Sequence, residues 1–238
     1  MSAPGIAIWD IAALALFACA WLFYQPLLQA LSRRGGAAIN SDMQVIRRAW
    51  MTNMVVRPDK FLDGQLLGHA LNSASFFASS NLLLIAASTG ALFGGDDTFR
   101  SVSSLEVVRT STRFLFELQV ALVLVTLARG LLDFIWSIRQ INYCIAAVGA
   151  TPPSLTPDEA GVWGEIVGRL LNPALASFNA GVRGYYFALA AAAWLFGPWA
   201  FMGATVGAVA ILLARQRASP AATAIADFRR VLERREGA

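Results

Sequence analysis

Four long apolar stretches alternate with polar segments along the 238-residue chain. The stretches cover residues 6–24, 73–93, 115–136 and 185–213. A helix rises ~1.5 Å per residue, so about 20 apolar residues match a hydrocarbon core of about 30 Å. Each stretch is therefore predicted to cross a bilayer, which makes the chain an all-α integral membrane four-helix bundle. The same pattern predicts a transmembrane domain over residues 1–214 and a basic polar tail over 215–238.

The polar segment after the first stretch contains a helical pattern of its own. Its apolar positions recur at helical spacing within residues 41–56, at Met43, Ile46, Trp50 and Met54. Arg47 and Arg48 stand beside them. This pattern predicts an amphipathic helix on the membrane surface. A short helix packed on other loops is the alternative.

The fourth stretch is longer than one crossing needs and has Gly197-Pro198 near its middle. Proline removes a backbone hydrogen bond and kinks a helix, so a single long, tilted and kinked span is predicted. A re-entrant hairpin is the alternative. Residues 162–178, which precede this stretch, are predicted to form a further amphipathic helix that is interrupted at Pro173.

Four spans would place the first polar loop and the tail on opposite sides of the membrane. Basic residues then divide nine against nine between the two sides. The positive-inside rule therefore gives no orientation. A fifth membrane segment, from the hairpin or from residues 162–178, would allow both basic regions to be cytoplasmic.

Composition supports a membrane environment, favours anionic lipid as a partner and argues against nucleic acid. Charged residues make up only 14% of the chain, whereas a soluble domain carries about a quarter. The net charge of +4 suits anionic lipid headgroups. No basic, aromatic-interleaved module is present, so no nucleic-acid partner is predicted. Two cysteines, Cys19 and Cys144, are too few for a disulfide framework or a zinc ribbon.

The first apolar stretch is predicted to be a retained span, although Ala18-Cys19-Ala20 resembles a signal-peptide cleavage site. No Lys or Arg precedes the stretch, and Asp10 lies where a basic region would be. The predicted location is the cell membrane, or the inner membrane if the source is a Gram-negative bacterium.

The third stretch carries Glu117, Arg129 and Asp133 among Val, Leu and Ala residues. A charge near the bilayer centre costs about 2.5–3.5 kcal/mol, so these side chains should face the bundle or a wet cavity. Arg129 and Asp133 are four residues apart and can neutralise each other. Glu117 needs another partner, for which the candidates are Asn72, Ser79, Asn81 and Arg183, or it is protonated.

The candidate site is an intramembrane polar cluster with six members, namely Glu117, Arg129, Asp133, Arg139, Arg183 and Asn72. One interpretation is a path for an ion, a proton or a small solute. The other is a structural ion-pair cluster that fixes helix register. No catalytic, cofactor or metal site is predicted, because His69 is the only histidine and has no companion ligand or nucleophile.

Several stretches together carry a resemblance to a known family. They are Arg47-Arg48-Ala49-Trp50, Ser75–Ser80, Trp136–Tyr143 and Phe178–Leu189, the last continuing through Trp194–Trp199. The chain resembles an uncharacterised multi-pass membrane family, a domain of unknown function found in bacteria and plants. The resemblance implies four helical spans and no established substrate, cofactor or catalytic residue. The family pattern has an arginine just before the Phe-Phe-Ala-Ser stretch, where this chain has His69 and Asn72 instead.

Three functions remain open on these grounds. The first is a channel-like or transporter-like role for an ion or small solute. The second is a non-catalytic accessory or assembly subunit, in a homo-oligomer or a larger membrane complex. A membrane-embedded enzyme has the least support, because no nucleophile–base pair or metal cage stands in the sequence. The prediction is that the chain is not an enzyme.

Overall fold

The computed structural model describes residues 6–33, 39–106, 108–109, 112–217 and 219–236. Within these residues the chain is helical and contains no strand, so the all-α prediction is confirmed. The helices are α1 (Ile8–Arg33), α2 (Ile39–Val55), α3 (Phe61–Phe93), α4 (Gly95–Ser103), α5 (Arg113–Gly149), α6 (Pro157–Ala192), α7 (Pro198–Arg217) and α8 (Pro220–Glu236). Residues 1–5 of the predicted domain and 237–238 of the predicted tail lie outside the described residues.

Four helical segments of the described chain are long and apolar enough to cross a membrane. They are Ile8–Leu28, Phe61–Phe93, Arg113–Gly149 and Pro198–Arg235. Their number agrees with the predicted four. The helices extend beyond the apolar stretches: α1 continues through Pro26, and α3 begins twelve residues before position 73. Polar residues in these extensions therefore belong to helices rather than to loops.

The described chain forms two compact units. One consists of Met1–Leu31, Ser79–Leu131 and Gly181–Leu212, and the other of Ser32–Ala78, Leu132–Ala180 and Leu213–Ala238. Helices α3, α5 and α6 contribute residues to both. We call them unit 1 and unit 2.

In unit 1 the chain reverses direction between α6 and α7. The ring of Phe17 on α1 lies 5.9 Å from that of Phe187 on α6 and 5.2 Å from that of Phe201 on α7. A 3₁₀ turn, Ala193–Phe196, separates these two helices, and Gly197 follows it at φ +105°. The prediction of one kinked span over residues 185–213 is therefore wrong, because a left-handed glycine ends one helix before Pro198 begins the next.

Buried polar groups hold this turn in place. The indole of Trp194 donates a hydrogen bond of 2.8 Å to Asp10 on α1. The amide of Gln119 on α5, which is 1% exposed, donates to the carbonyl of Trp194 at 3.0 Å. The backbone N–H of Arg109 donates to the carbonyl of Leu195 at 2.9 Å. Three separate segments thus fix the position of the reversal.

Gly197→Ala should destabilise the protein by about 1–3 kcal/mol, because φ +105° with ψ 169° is a region that glycine alone occupies readily. Gly203→Ala on α7 is the matched control. A Cβ there meets nothing within 4 Å, so a gain of up to about 1 kcal/mol is expected from helix propensity. Thermal unfolding in detergent compares the two variants. Equal effects would contradict the assignment of strain to Gly197.

In unit 2, α2 packs against the protein interior. Met51 and Met54 are buried in a cluster with Leu67 of α3, Cys144 of α5 and Leu171 of α6. The predicted helix is present, and its buried residues pack on protein, as in the alternative of a packed helix. Its position on the membrane surface stays a prediction.

Helix α6 passes through Pro173 without a break, so the predicted interruption there is also wrong. Leu171 and Ala174, on either side of the proline, are fully buried, and this packing compensates for the missing backbone hydrogen bond. Two glycines of α6 allow α2 to approach closely: Gly164 lies against Thr52, and Gly168 lies against Arg48. The two helices run antiparallel.

Candidate functional site

Glu117 has its partner on its own helix. Arg113, four residues earlier, donates to the Glu117 carboxylate at 2.8 Å and to Asp96 at 2.5 Å. None of the predicted partners is needed. Asn72 and Ser79 are exposed, and the amide of Asn81 donates to a carbonyl of α5. The sequence interpretation missed Arg113 because it placed that residue in a loop.

The other predicted site residues are distributed along α3, α5 and α6. Arg129 and Arg139 are exposed, whereas Asp133 and Arg183 are partly buried. The Arg183 guanidinium lies 5.8 Å from the centre of the Tyr24 ring. Glu117 and Arg139 are separated by about 33 Å along α5 at 1.5 Å per residue. Their role as one ion path stays a prediction.

A different charged residue, Arg47 on α2, is buried in unit 2. It retains only 8% exposure, and its Nε atom has no hydrogen-bond partner among the described residues. Burial lowers the pKa of its guanidinium. An arginine nonetheless remains charged in a protein, so this cation lies where solvent cannot fully stabilise it.

The two buried carboxylates of unit 2 already have partners. Asp63, at 0% exposure, accepts hydrogen bonds of 2.6 Å from Arg57 and from the indole of Trp50. Asp42 accepts one of 2.8 Å from Arg229 on α8. Both acids are neutralised by arginines at the edge of the unit. Among the described residues, Arg47 therefore has no buried acid left to pair with.

The position of Arg47 on its helix directs it into the core. It precedes Met51 by four residues and Met54 by seven, so the three share one face of α2. A helical side chain leans toward the N-terminus of its own helix. The Arg47 side chain therefore leans away from Met51 and Met54, toward the first turns of α2.

At that level the neighbouring helices carry amide and hydroxyl groups. The Asn172 amide donates to the carbonyl of Gln44 at 3.4 Å, and the Ser177 hydroxyl donates to Gln140 on α5 at 3.5 Å. The buried Oδ1 of Asn172 has no partner among the described side chains and backbone groups. We call Arg47 and Asn172, which contacts α2 at Gln44 one turn before Arg47, the Arg47 site.

This set of groups is suited to an anion. A guanidinium presents a planar fork of N–H donors that matches a carboxylate or a phosphate. The Asn172 amide N–H and the Ser177 hydroxyl already donate within the protein, so the donors for an anion come from Arg47. The chain offers little for other chemistry here: within the described ranges, no three His, Cys, Asp or Glu side chains are grouped to hold a metal ion. His69 is exposed.

Comparison with known proteins gives a family. A model of the family described as "Protein of unknown function, DUF599" matches residues 12–221. The chain belongs to this family. Membership confirms the resemblance to an uncharacterised family of unknown function, and the four apolar helices support a membrane protein. The searches of curated proteins and of solved structures each gave no match. Function therefore has to be argued from the site.

Proposed function

We propose that this integral membrane protein binds an anion at the Arg47 site and is of transporter type, moving a small anion across the cell membrane. The observation that carries the proposal is the burial of Arg47, whose Nε atom has no hydrogen-bond partner and whose side chain forms no ion pair among the described residues. No catalytic step is assigned to the chain.

The energetic argument favours a bound anion over a purely structural role. Removing an ion from water costs several kcal/mol even after the protein relaxes, and a structural arginine is normally paired with an acid. Arg47 is buried, and no ion pair of its side chain is found among the described residues. An incoming carboxylate or phosphate would supply the missing charge, and it could leave again because its partner is a single arginine.

The six predicted residues give less support for a path. The Glu117 carboxylate is bonded to Arg113, whose side chain is 49% exposed. Such an exposed pair contributes little energy and does not create a binding site inside the bundle. We therefore propose that the anion-binding site of the transporter lies at α2 and α6 rather than in the third apolar stretch.

Flux into proteoliposomes tests this proposal. We expect reconstituted protein to exchange phosphate, sulfate or a small carboxylate across the bilayer, and Arg47→Met to reduce that exchange at least tenfold. Arg48→Ala is the matched control, because Arg48 is the next residue, is 60% exposed and contacts Glu165 at 3.5 Å. It should exchange anions at close to the wild-type rate.

Two outcomes would contradict the proposal in different ways. Saturable anion binding without exchange would retain the Arg47 site but remove the transporter role. Equal exchange by wild type and Arg47→Met would remove Arg47 from the path.

A second candidate, an accessory or assembly subunit, is favoured by one feature of α7. A Cβ built at Gly203 or Gly207 meets nothing within 4 Å, so this face of α7 is open to a helix from another chain. Co-purification with a stoichiometric partner, lost in Gly203→Leu, would support this role. It is compatible with anion binding.

A further inference from the structure

We infer that residues 178–196 cross the membrane as a fifth span, which places α2 and α8 together on the cytosolic side. The inference goes beyond the proposed function and is independent of it. It rests on the contact between α2 and α8 and on the reversal of the chain at Gly197.

Helices α2 and α8 must lie on the same side of the bilayer because they touch. The Asp42 carboxylate of α2 accepts a hydrogen bond of 2.8 Å from the Arg229 guanidinium of α8. The two helices also pack along their lengths. Two segments in direct contact cannot be separated by a hydrocarbon core of about 30 Å.

The number of crossings between these helices must therefore be even. Helices α3, α5 and α7 supply three. The fourth has to come from the chain between α5 and α7, where α6 is the only helix. A single span over residues 185–213 would leave three crossings and would put α8 opposite α2.

The second half of α6 has the composition and the length that a membrane crossing needs. The 19 residues 178–196 contain one charged residue, Arg183, and a run of alanines. Their length suits a bilayer core of about 30 Å. The indole of Trp194 reaches Asp10 near the start of α1, and Phe187 contacts Tyr24 two turns before the end of α1. The segment therefore runs antiparallel to α1, over most of the length of that span.

With five crossings, the Lys and Arg residues are no longer divided equally between the two sides of the membrane. Of the 19 Lys and Arg residues, 14 fall between the last residue of α1, Arg33, and the start of α3, in the polar halves of α5 and α6, or after residue 213. Three fall on the other side, namely Arg100, Arg109 and Arg113, and two lie within spans. The positive-inside rule assigns the side with 14 to the cytosol.

In this orientation, exposed arginines lie next to the anionic headgroups of the inner leaflet. Arg139 on α5 and Arg217 at the end of α7 are both exposed and both follow a span on the cytosolic side. Arginines in such positions contact the anionic headgroups of the inner leaflet. The topology also places Arg47 on the cytosolic side, so the anion of the proposed function would enter from there.

Cysteine labelling in sealed vesicles tests the topology. The probes are single cysteines at exposed positions, Asn53→Cys, Ser104→Cys and Thr223→Cys, in a Cys19→Ala background. The Cys19→Ala variant without an added cysteine is the control, because any labelling of it comes from the buried Cys144. Asn53→Cys and Thr223→Cys should react with a membrane-impermeant maleimide only in inverted vesicles, and Ser104→Cys only in right-side-out vesicles.

Each result decides a separate part of the inference. Labelling of Asn53→Cys and Thr223→Cys from opposite sides would overturn the fifth crossing. Labelling of both from outside, with Ser104→Cys labelled from inside, would retain five crossings and overturn the orientation. Anion binding at Arg47 is unaffected by either result, so the two proposals fail separately.

Discussion

Arg47→Met should raise the stability of the anion-free protein by roughly 1–4 kcal/mol, which is the opposite of what a core substitution normally does. The reason is that Arg47 is 8% exposed, its Nε atom has no hydrogen-bond partner, and its side chain forms no ion pair among the described residues. Methionine fills a similar volume, matches the neighbouring Met51 and Met54, and carries no charge. A gain of several degrees in melting temperature is expected in detergent without phosphate or sulfate.

The same variant should lose the response to anions. A ligand present at a hundred times its Kd stabilises a folded protein by about 2.7 kcal/mol. Wild type and Arg48→Ala should show such a rise in melting temperature with a binding anion, and Arg47→Met should show none. A lower melting temperature for Arg47→Met, with an unchanged response to anion, would mean that Arg47 is structural.

Gly164→Ala should be among the most damaging small substitutions in the chain. A Cβ at this position would lie within contact distance of the Thr52 Cα and 2.8 Å from the Thr52 backbone nitrogen. Backbone cannot move aside as a flexible side chain can, so α2 has to shift away from α6. Overpacking of this kind costs about 1–3 kcal/mol, and we expect the upper end. Because α2 carries Arg47, the substitution should also weaken anion binding.

Gly161→Ala is the matched control for this prediction. It lies on the same helix, three residues earlier, and a Cβ there meets nothing within 4 Å. Helix propensity alone should make it neutral or stabilising by up to about 1 kcal/mol. The two melting curves should therefore move in opposite directions. Equal melting temperatures would show that α2 does not pack on α6 as closely as the structure has it.

The local elements of this fold are well encoded in the sequence. A long apolar run specifies a membrane helix through composition alone, which is why the four candidate spans were predictable. Helix ends were less predictable, because α3 begins twelve residues before its apolar run and α5 continues thirteen residues after its own. Pro173 was interpreted as a break, yet it costs one hydrogen bond that the neighbouring packing can offset.

The reversal at Gly197 and the Arg47 site depend on distant contacts that a sequence pattern does not show. A Gly-Pro pair is typical of both a kink and a turn. Distant contacts favour the turn here, among them the hydrogen bond that Trp194 donates to Asp10 and the one it accepts from Gln119. For Arg47 a signal existed. The apolar face of α2 can be drawn through Met51 and Met54, and then Arg47 falls on it. Choosing Met43 and Ile46 instead placed Arg47 at the edge.

Equilibrium binding of radiolabelled phosphate or sulfate to purified protein in neutral detergent is the most direct test of anion binding by a single buried arginine. One saturable site per chain is predicted for wild type and for Arg48→Ala, with binding at least tenfold weaker in Arg47→Met. Binding that is equal in wild type and Arg47→Met, or that is lost equally in both arginine variants, would contradict it.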